Sequence, residues 1–212
     1  MNVIEIFSSI EGEGTRQGYL CTFVRLYGCN LRCSYCDTPY SYEGGEYTVI
    51  DVKEVAETVR AIGNKYVTIT GGEPLLQESQ VIELIKLLGE DYEFNIETNG
   101  SVIPTYRAEN IFYTVDYKCP TSNEETKMKE EAFLNLHKND VVKFVVGSIE
   151  DLQRTYEFIK THDIQAHIYL SPSYQEITAR EIVEFMKDNN MQDVRVQLQI
   201  HKYIWDVNER GV

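Results

Sequence analysis

The sequence predicts an α/β fold, a partial and open parallel β/α barrel of about six strands, in a single domain that spans residues 1–212. Short runs of β-branched and aromatic residues alternate with longer amphipathic patterns, and this alternation repeats about six times. Such a repeat is typical of parallel strands joined by crossover helices. A chain of 212 residues is short for a closed barrel of eight strands, so we expect an open one.

The predicted elements follow one another in a regular order. Short apolar runs predict strands over residues 20–27, 66–70, 93–97, 112–117, 141–146, 166–170 and 194–200, with residues 3–7 as an edge strand. Apolar residues three and four positions apart predict helices over residues 51–62, 78–88, 149–160 and 178–189, and a less regular pattern covers residues 126–136. Ligands of such folds gather at the carboxyl ends of the strands, where Cys29, Gly71 and Glu97 lie.

The charge and the apolar pattern exclude several classes of protein. The chain has 34 acidic and 20 basic residues, for a net charge of −14. Proteins that bind nucleic acids need a basic surface to displace counterions, so this balance disfavours a DNA or RNA substrate. The sequence contains no apolar run of about 18 residues and no basic, apolar leader, so we expect no transmembrane helix, no signal peptide and a cytoplasmic location.

Three of the five cysteines lie within eight residues and predict a metal centre. Cys29, Cys33 and Cys36 have the spacing C-x3-C-x2-C, and soft thiolates favour zinc, copper(I) or iron–sulfur clusters. A structural zinc site needs four ligands, and here only three are local. In a four-iron cubane, three thiolates leave one iron open to a cofactor or substrate. A zinc knot or a set of buried free thiols remains the alternative.

The cysteine motif also resembles that of the radical S-adenosylmethionine superfamily. Tyr35 precedes the last cysteine of the motif, as an aromatic residue does in that superfamily, and residues 70–74 (Thr-Gly-Gly-Glu-Pro) resemble its second motif. The resemblance implies a 4Fe–4S cluster whose open iron binds the amine and carboxylate of S-adenosylmethionine. The reduced cluster would cleave the sulfonium to give a 5′-deoxyadenosyl radical that takes a hydrogen atom from the substrate.

The whole chain resembles the 7-carboxy-7-deazaguanine synthase family. The similar blocks are residues 4–14, 23–29, 36–38, 116–120, 142–144, 170–173 and 199–202. The resemblance implies ring contraction of 6-carboxy-5,6,7,8-tetrahydropterin to 7-carboxy-7-deazaguanine with loss of ammonia, as in queuosine and other deazapurine biosynthesis. It also implies a magnesium ion, a homodimer and a reductant such as flavodoxin or ferredoxin. Glu11 departs from the family, which usually has Gln there.

The same resemblance assigns the site residues, with no catalytic side chain beyond the cluster and the cofactor radical. Cys29, Cys33 and Cys36 would hold the cluster, and Thr38 would contact magnesium. The implied contacts of S-adenosylmethionine are Tyr35, Cys36, Asp37, Gly72, Asp116, Tyr117, Lys118, Ser171, Pro172, Ser173 and Tyr174. The implied contacts of the pterin are Ile10, Glu11, Gly12, Arg25, Thr70 and His201.

Some residues have a second interpretation. Arg25 matches a substrate carboxylate through its planar fork, but a structural salt bridge is also open to it. Glu13 is a candidate acceptor for an amino-pyrimidine edge or a residue of a surface turn. Cys21 is expected in the core and Cys119 as a bystander beside the pocket.

Two other functions compete with the synthase. A small activating enzyme that installs a glycyl radical on a partner protein shares the cysteine spacing, but it needs a docking face for that protein. A zinc or iron–sulfur binding module without catalysis is the second, although an electron carrier normally has four cysteines per cluster.

Overall fold

The protein is a nine-stranded sheet with helices packed against it, seen in a computed structural model that describes residues 1–206 and 209–212. The strands are β1 (Asn2–Ile10), β2 (Leu20–Leu26), β3 (Thr48–Val49), β4 (Tyr66–Gly71), β5 (Glu93–Thr98), β6 (Ile111–Lys118), β7 (Val141–Val146), β8 (His167–Pro172) and β9 (Val194–Val196). The helices are α1 (Val52–Ile62), α2 (Glu78–Leu88), α3 (Glu130–Leu134), α4 (Ile149–Thr161), α5 (Ala179–Asp188) and α6 (His201–Ile204).

The sheet has the order β3-β1-β2-β4-β5-β6-β7-β8-β9. From β2 to β9 all neighbours are parallel, whereas β1 pairs antiparallel with both β2 and β3. The terminal strands β3 and β9 lie at opposite edges of this order, so the barrel is open. The predicted fold class, an open parallel β/α barrel, is confirmed.

Local sequence explains where the long helices begin and end. Asp51 caps α1 by accepting a hydrogen bond from Lys53 N, and Gly63 ends that helix at a φ of 83°. Ser148 caps α4 in the same way through Asp151 N. Thr178 and Glu181 form a reciprocal capping box at the start of α5. These termini agree with the predicted helices to within one or two residues.

The apolar residues of the strands alternate between the two faces of the sheet, and one face packs against the helices. On that face Tyr117 contacts the rings of Phe133, Phe144 and Phe158, at centroid distances of 4.8 to 5.3 Å. Cys21 and Cys119 are both buried. Within the described residues, none of the helices is long and apolar enough to cross a membrane.

Three predicted elements differ from the structure. The helix over residues 126–136 shrinks to α3, because residues 125–127 form a 3-10 turn and Lys129 N is tied to Gly100 O at 3.0 Å. The strand over residues 194–200 ends at Val196, because the Gln197 side chain turns to the backbone of Gly14. The short elements β3 and α6 carry too few residues to show a period and were not predicted.

Candidate active site

The loops at the carboxyl ends of the parallel strands meet at one edge of the sheet. The cysteine loop follows β2, and Gly28 O accepts a hydrogen bond of 2.8 Å from Glu73 N, which follows β4. Asn99 follows β5, and its Nδ2 donates to Asn30 Oδ1 over 3.1 Å. Ser34 N donates to Ser122 O, beyond β6, over 3.1 Å. Four strand ends therefore hold the cysteine motif.

The three motif cysteines are free, half-buried and close enough to influence one another. Burial raises the pKa of the Cys33 thiol to about 11; Cys36 and Cys29 also raise it, whereas Lys118 lowers it. Cys29 Sγ accepts hydrogen bonds from Leu31 N at 3.4 Å and from Asn99 Nδ2 at 3.8 Å. Donors and a lysine around thiols stabilise the thiolate that a cluster requires.

The arrangement of the cysteines is compatible with a cluster. In the described part of the chain, no three His, Cys, Asp or Glu side chains are grouped so as to hold one metal ion. A cubane binds each thiolate through a different iron, so its ligands do not need to converge on one point. Three half-buried thiols in one loop, with two N–H donors to Cys29 Sγ, match that requirement.

Two glycines allow the second motif to approach the cysteine loop. A Cβ on Gly72 would lie 2.2 Å from Gly28 O and 2.9 Å from Cys29 Cβ, so only glycine fits there. Gly71 has a φ of 125°, and a Cβ there would lie 2.1 Å from Leu26 O. This close approach places Gly72 beside the cluster loop, where the sequence motifs predict the cofactor.

Glu73, the acidic residue of this motif, was not among the predicted site residues. Its buried carboxylate accepts hydrogen bonds from Leu75 N at 2.9 Å, Thr98 Oγ1 at 2.8 Å and Asn99 N at 2.7 Å. Burial raises the pKa of Glu73, although these three donors oppose the rise. The residue ties the end of β4 to the end of β5 and thereby positions Asn99 beside Cys29.

Acidic and basic side chains alternate in a row on the face of the sheet that is opposite the helices. Lys143 on β7 is buried and forms ion pairs with Glu13 and with Asp116 Oδ1, the latter at 3.1 Å. Lys118 Nζ lies 3.0 Å from Asp116 Oδ2. Burial alone would raise the pKa of Asp116, but Lys118 and Lys143 outweigh it and lower that pKa. Burial would lower the pKa of Lys143, but the acidic partners raise it well above its ordinary value.

The predicted pterin residues lie around the loop between β1 and β2. Glu11 is 3% exposed, and its carboxylate is hydrogen-bonded to Thr68 Oγ1. Gly12 packs against the imidazole of His201, since a Cβ there would lie 2.1 Å from His201 Nδ1. Thr70 Oγ1 donates to Glu97 Oε2 over 2.7 Å. Ile10 is the last residue of β1 and is half-buried. The structure therefore brings Glu11, Gly12 and His201 together beside β4, the strand that holds both Thr68 and Thr70.

Arg25 has a protein partner in the structure. Its Nε donates to Glu5 Oε1 over 2.7 Å, so the salt bridge that the sequence left open is present. Both side chains are less than one-fifth exposed. The bond uses only one edge of the guanidinium, and the substrate assignment of Arg25 stays a prediction.

The predicted magnesium and adenosine contacts have mixed surroundings. Thr38 Oγ1 donates to Asp37 Oδ1 over 2.9 Å, and Asp37 lies 3.5 Å from Lys202 Nζ.

Ser171 Oγ is buried without a hydrogen-bond partner among the described residues, which fits a ligand that supplies one. Pro172 is half-buried, Ser173 is buried and Tyr174 is exposed. These assignments stay predictions, as does that of Tyr35, whose hydroxyl donates to Val145 O at 3.5 Å.

The side chain of Tyr117 lies on the helix side of the sheet, and its assignment to the cofactor stays a prediction. Side chains alternate between the two faces along a strand, so Tyr117 points to the helices, whereas Asp116 and Lys118 point to the opposite face of the sheet. Its hydroxyl donates to Glu125 Oε1 over 3.0 Å, beneath the aromatic cluster with Phe133 and Phe158.

Residues near the carboxyl end of the chain hold the loop between β1 and β2, an arrangement that sequence reasoning missed. Gln197 donates to Gly14 O at 3.0 Å and accepts from Gly14 N at 2.9 Å. Gln199 Nε2 donates to Glu13 Oε1, and Ile200 N donates to Gly12 O at 3.3 Å. More than 180 residues separate these partners, so no local pattern marks them.

Comparisons with known proteins agree with this geometry. The profile of the Radical SAM superfamily matches residues 23–117. A 7-carboxy-7-deazaguanine synthase of Clostridium acetobutylicum is 45% identical, with 99% of this chain and 98% of that protein covered. The same enzyme of Methanospirillum hungatei is 42% identical over 96% of this chain and 85% of its own. The crystal structure of QueE from Escherichia coli superposes with a TM-score of 0.77 at 24% identity and covers 93% of both chains.

The sequence relatives cover almost the full length of the chain, and the structural relative has the same fold. The cysteine motif lies inside the segment that matches the superfamily. The chain therefore belongs to the 7-carboxy-7-deazaguanine synthase family of radical S-adenosylmethionine enzymes.

Proposed function

We propose that the chain converts 6-carboxy-5,6,7,8-tetrahydropterin to 7-carboxy-7-deazaguanine by radical ring contraction, in the biosynthesis of queuosine and related deazapurines. The main observation that supports this proposal is the 45% identity, over nearly the whole of both chains, to a protein named for that activity. The loss of one ammonia molecule accounts for the entire difference in composition between substrate and product. The enzyme is accordingly a carbon–nitrogen lyase.

The cysteine loop would hold the cluster. Cys29, Cys33 and Cys36 are one thiolate ligand short of a filled cubane, which leaves an iron for S-adenosylmethionine. When bound, the reduced cluster and this cofactor supply a 5′-deoxyadenosyl radical. Leu31 N and Asn99 Nδ2 donate to Cys29 Sγ and would stabilise the bound thiolate.

The cofactor would lie between the second motif and the ends of β6 and β8. Gly72 gives it a close approach to the backbone. Lys118 and Asp116 supply opposite charges to its polar groups, and the unpartnered Ser171 hydroxyl supplies a donor.

The pterin would lie over the interior of the sheet. The outer edge of the Arg25 guanidinium suits the substrate carboxylate, because two parallel N–H groups match two carboxylate oxygens. Glu13 presents a carboxylate fixed by Lys143 and Gln199, which suits the donors of an amino-pyrimidine edge. Glu11, Gly12, Thr70 and His201 would complete the walls.

Several other features are part of the proposal. Thr38 would contact magnesium, which prefers oxygen ligands and keeps several of its waters. A reductant such as flavodoxin or ferredoxin would supply the electron. The protein would act as a homodimer of single-domain chains in the cytoplasm.

The test is turnover by reconstituted protein. The protein is loaded anaerobically with iron and sulfide, reduced and mixed with S-adenosylmethionine, the pterin and magnesium, and the products are identified by mass spectrometry. The proposal predicts 7-carboxy-7-deazaguanine from the wild type and from Cys119→Ala, a buried cysteine outside the motif, but none from Cys33→Ala. Formation of 5′-deoxyadenosine without a deazapurine would contradict the pterin substrate. A cluster-loaded protein that forms neither product would contradict radical chemistry altogether.

A further inference from the structure

We infer that Gln197 and Gln199 are positioning residues for substrate binding, because they fix the loop that carries Glu13. Neither side chain needs to touch the substrate for this role. The loop, residues 11–14, lies between β1 and β2 and carries the carboxylate assigned above to the pterin. The substrate part of the inference rests on the proposed function.

The contact between Gln197 and the loop is reciprocal. The amide oxygen of Gln197 accepts from Gly14 N at 2.9 Å, and its amide nitrogen donates to Gly14 O at 3.0 Å. The side chain is 6% exposed, so water does not compete well for these bonds. A primary amide is the side-chain group that pairs with one backbone N–H and C=O at once, which explains why glutamine stands there.

Gln199 acts on the Glu13 side chain itself. Its Nε2 donates to Glu13 Oε1, while Lys143 Nζ contacts Glu13 Oε2. Each carboxylate oxygen therefore has one protein donor, which fixes the plane of the group. Each oxygen can still accept a second bond, because a carboxylate offers about four acceptor sites. A carboxylate that is already oriented loses little side-chain entropy when a ligand binds.

The neighbouring backbone reinforces the same arrangement. Gln17 Nε2 donates both to Gly12 O at 2.9 Å and to Leu198 O at 2.6 Å, so it bridges the loop and the C-terminal segment. Ile200 N donates to Gly12 O at 3.3 Å. The loop is thus held through Gly12, Glu13 and Gly14 by one stretch of chain, residues 197–200.

The experiment compares Gln197→Met and Gln199→Met, which keep the length of the side chain and remove its hydrogen bonds. Gln192→Met is the matched control, because Gln192 is exposed and its side chain bonds only to the nearby Asn190 among residues 1–206 and 209–212. Each protein is loaded with its cluster, and we measure the Kd and KM of the pterin, the kcat, the KM of S-adenosylmethionine and the iron content.

We expect Gln197→Met and Gln199→Met each to raise the Kd and KM of the pterin about tenfold. Gln197→Met removes two hydrogen bonds to a neutral backbone and Gln199→Met removes one to a carboxylate, and each loss is worth about a factor of ten. Iron content, the KM of S-adenosylmethionine and its uncoupled cleavage should stay within about twofold of wild type. If Gln199 acts through Glu13, Gln199→Met combined with Glu13→Gln should cost less than the two single effects added together.

Amide hydrogen exchange gives a readout that is independent of turnover. The amides of residues 12–14 should exchange faster in Gln197→Met than in wild type or Gln192→Met. Unchanged exchange, together with an unchanged pterin Kd in Gln197→Met and Gln199→Met, would overturn the inference. Wild-type protein that makes no deazapurine would instead contradict the proposed function, and the exchange data would then decide the positioning part alone.

Discussion

Arg25 and Glu5 lie opposite each other on the paired strands β2 and β1, and Arg25 Nε donates to Glu5 Oε1 over 2.7 Å. The guanidinium also lies over the ring of Phe7, at 5.7 Å from its centroid. A side chain held at one edge and on one face keeps its remaining N–H groups in a fixed direction. The salt bridge and the substrate contact that the sequence offered as alternatives are therefore compatible.

Removal of this anchor should weaken pterin binding. We expect Arg25→Lys to lower kcat/KM for the pterin by about 10- to 100-fold, because an ammonium cannot reproduce the planar fork. Glu5→Gln should raise the KM severalfold with little change in kcat, since the amide still accepts from Nε. Steady-state kinetics check both, and an unchanged KM in Arg25→Lys would refute the carboxylate contact.

The close approach of Gly72 to the cysteine loop should matter for the cluster. The new Cβ in Gly72→Ala would push Gly28 and Cys29 away from residue 72 and distort the cysteine loop. We therefore expect iron content and visible absorbance after reconstitution to fall several-fold. Gly89→Ala is the control, because Gly89 has a φ of 81° but open space around its Cβ. The control should lose about 1 kcal/mol of stability and keep its iron. Equal iron in both variants would count against the predicted role of Gly72.

Glu11 should make stability depend on pH. Burial raises the pKa of Glu11 to about 8, and the nearby charge of Glu97 makes a smaller contribution in the same direction. The hydrogen bond to Thr68 opposes this rise. A folded-state pKa above the unfolded value of 4.5 means that stability is fully present at low pH and is lost as pH rises through about 8. The free energy of unfolding of Glu11→Gln, relative to that of wild type, should therefore rise by about 1.4 kcal/mol per pH unit between about pH 5 and pH 8.

Thermal unfolding over this pH range checks the prediction. Glu57→Gln, at an exposed position of α1, serves as the control and should follow wild type throughout. A Glu11→Gln curve parallel to wild type would show that Glu11 titrates normally.

The Glu73 carboxylate should be a major stabilising contact. Glu73→Ala leaves three donors near the ends of β4 and β5 without their acceptor, so we expect a loss of about 3 kcal/mol or more. Glu73→Gln keeps the size and one acceptor oxygen and should lose less. Denaturant unfolding measures both, and a Glu73→Ala variant that loses less than about 1 kcal/mol would contradict the stabilising role of the carboxylate.

The central strands were predictable because each is a run of mainly buried residues bounded by polar turns. Val141–Val146 and Tyr66–Gly71 show this, and the helix starts at Asp51 and Thr178 carry their own capping residues. The strand over residues 194–200 was too long because its end is set by Gly14, far away in the sequence.

The site was predictable where a motif is local and much less so where it depends on distant partners. The cysteine spacing lies within eight residues, and Gly72 lies in a five-residue motif. The role of Lys143 depends on Glu13, which is 130 residues away. Tyr117 was assigned with its neighbours because they form one block, although the two-residue period of a strand separates it from them.

The contact between Gln197 and Gly14 has a consequence for protein synthesis. A growing chain that has emerged to about residue 175 already contains the cysteine loop and eight of the nine strands, but the bonds to Gly14 still lack their partner. The pocket wall would therefore be completed last, after the cluster ligands are in place. Iron loading of a nascent chain could precede its ability to bind the pterin.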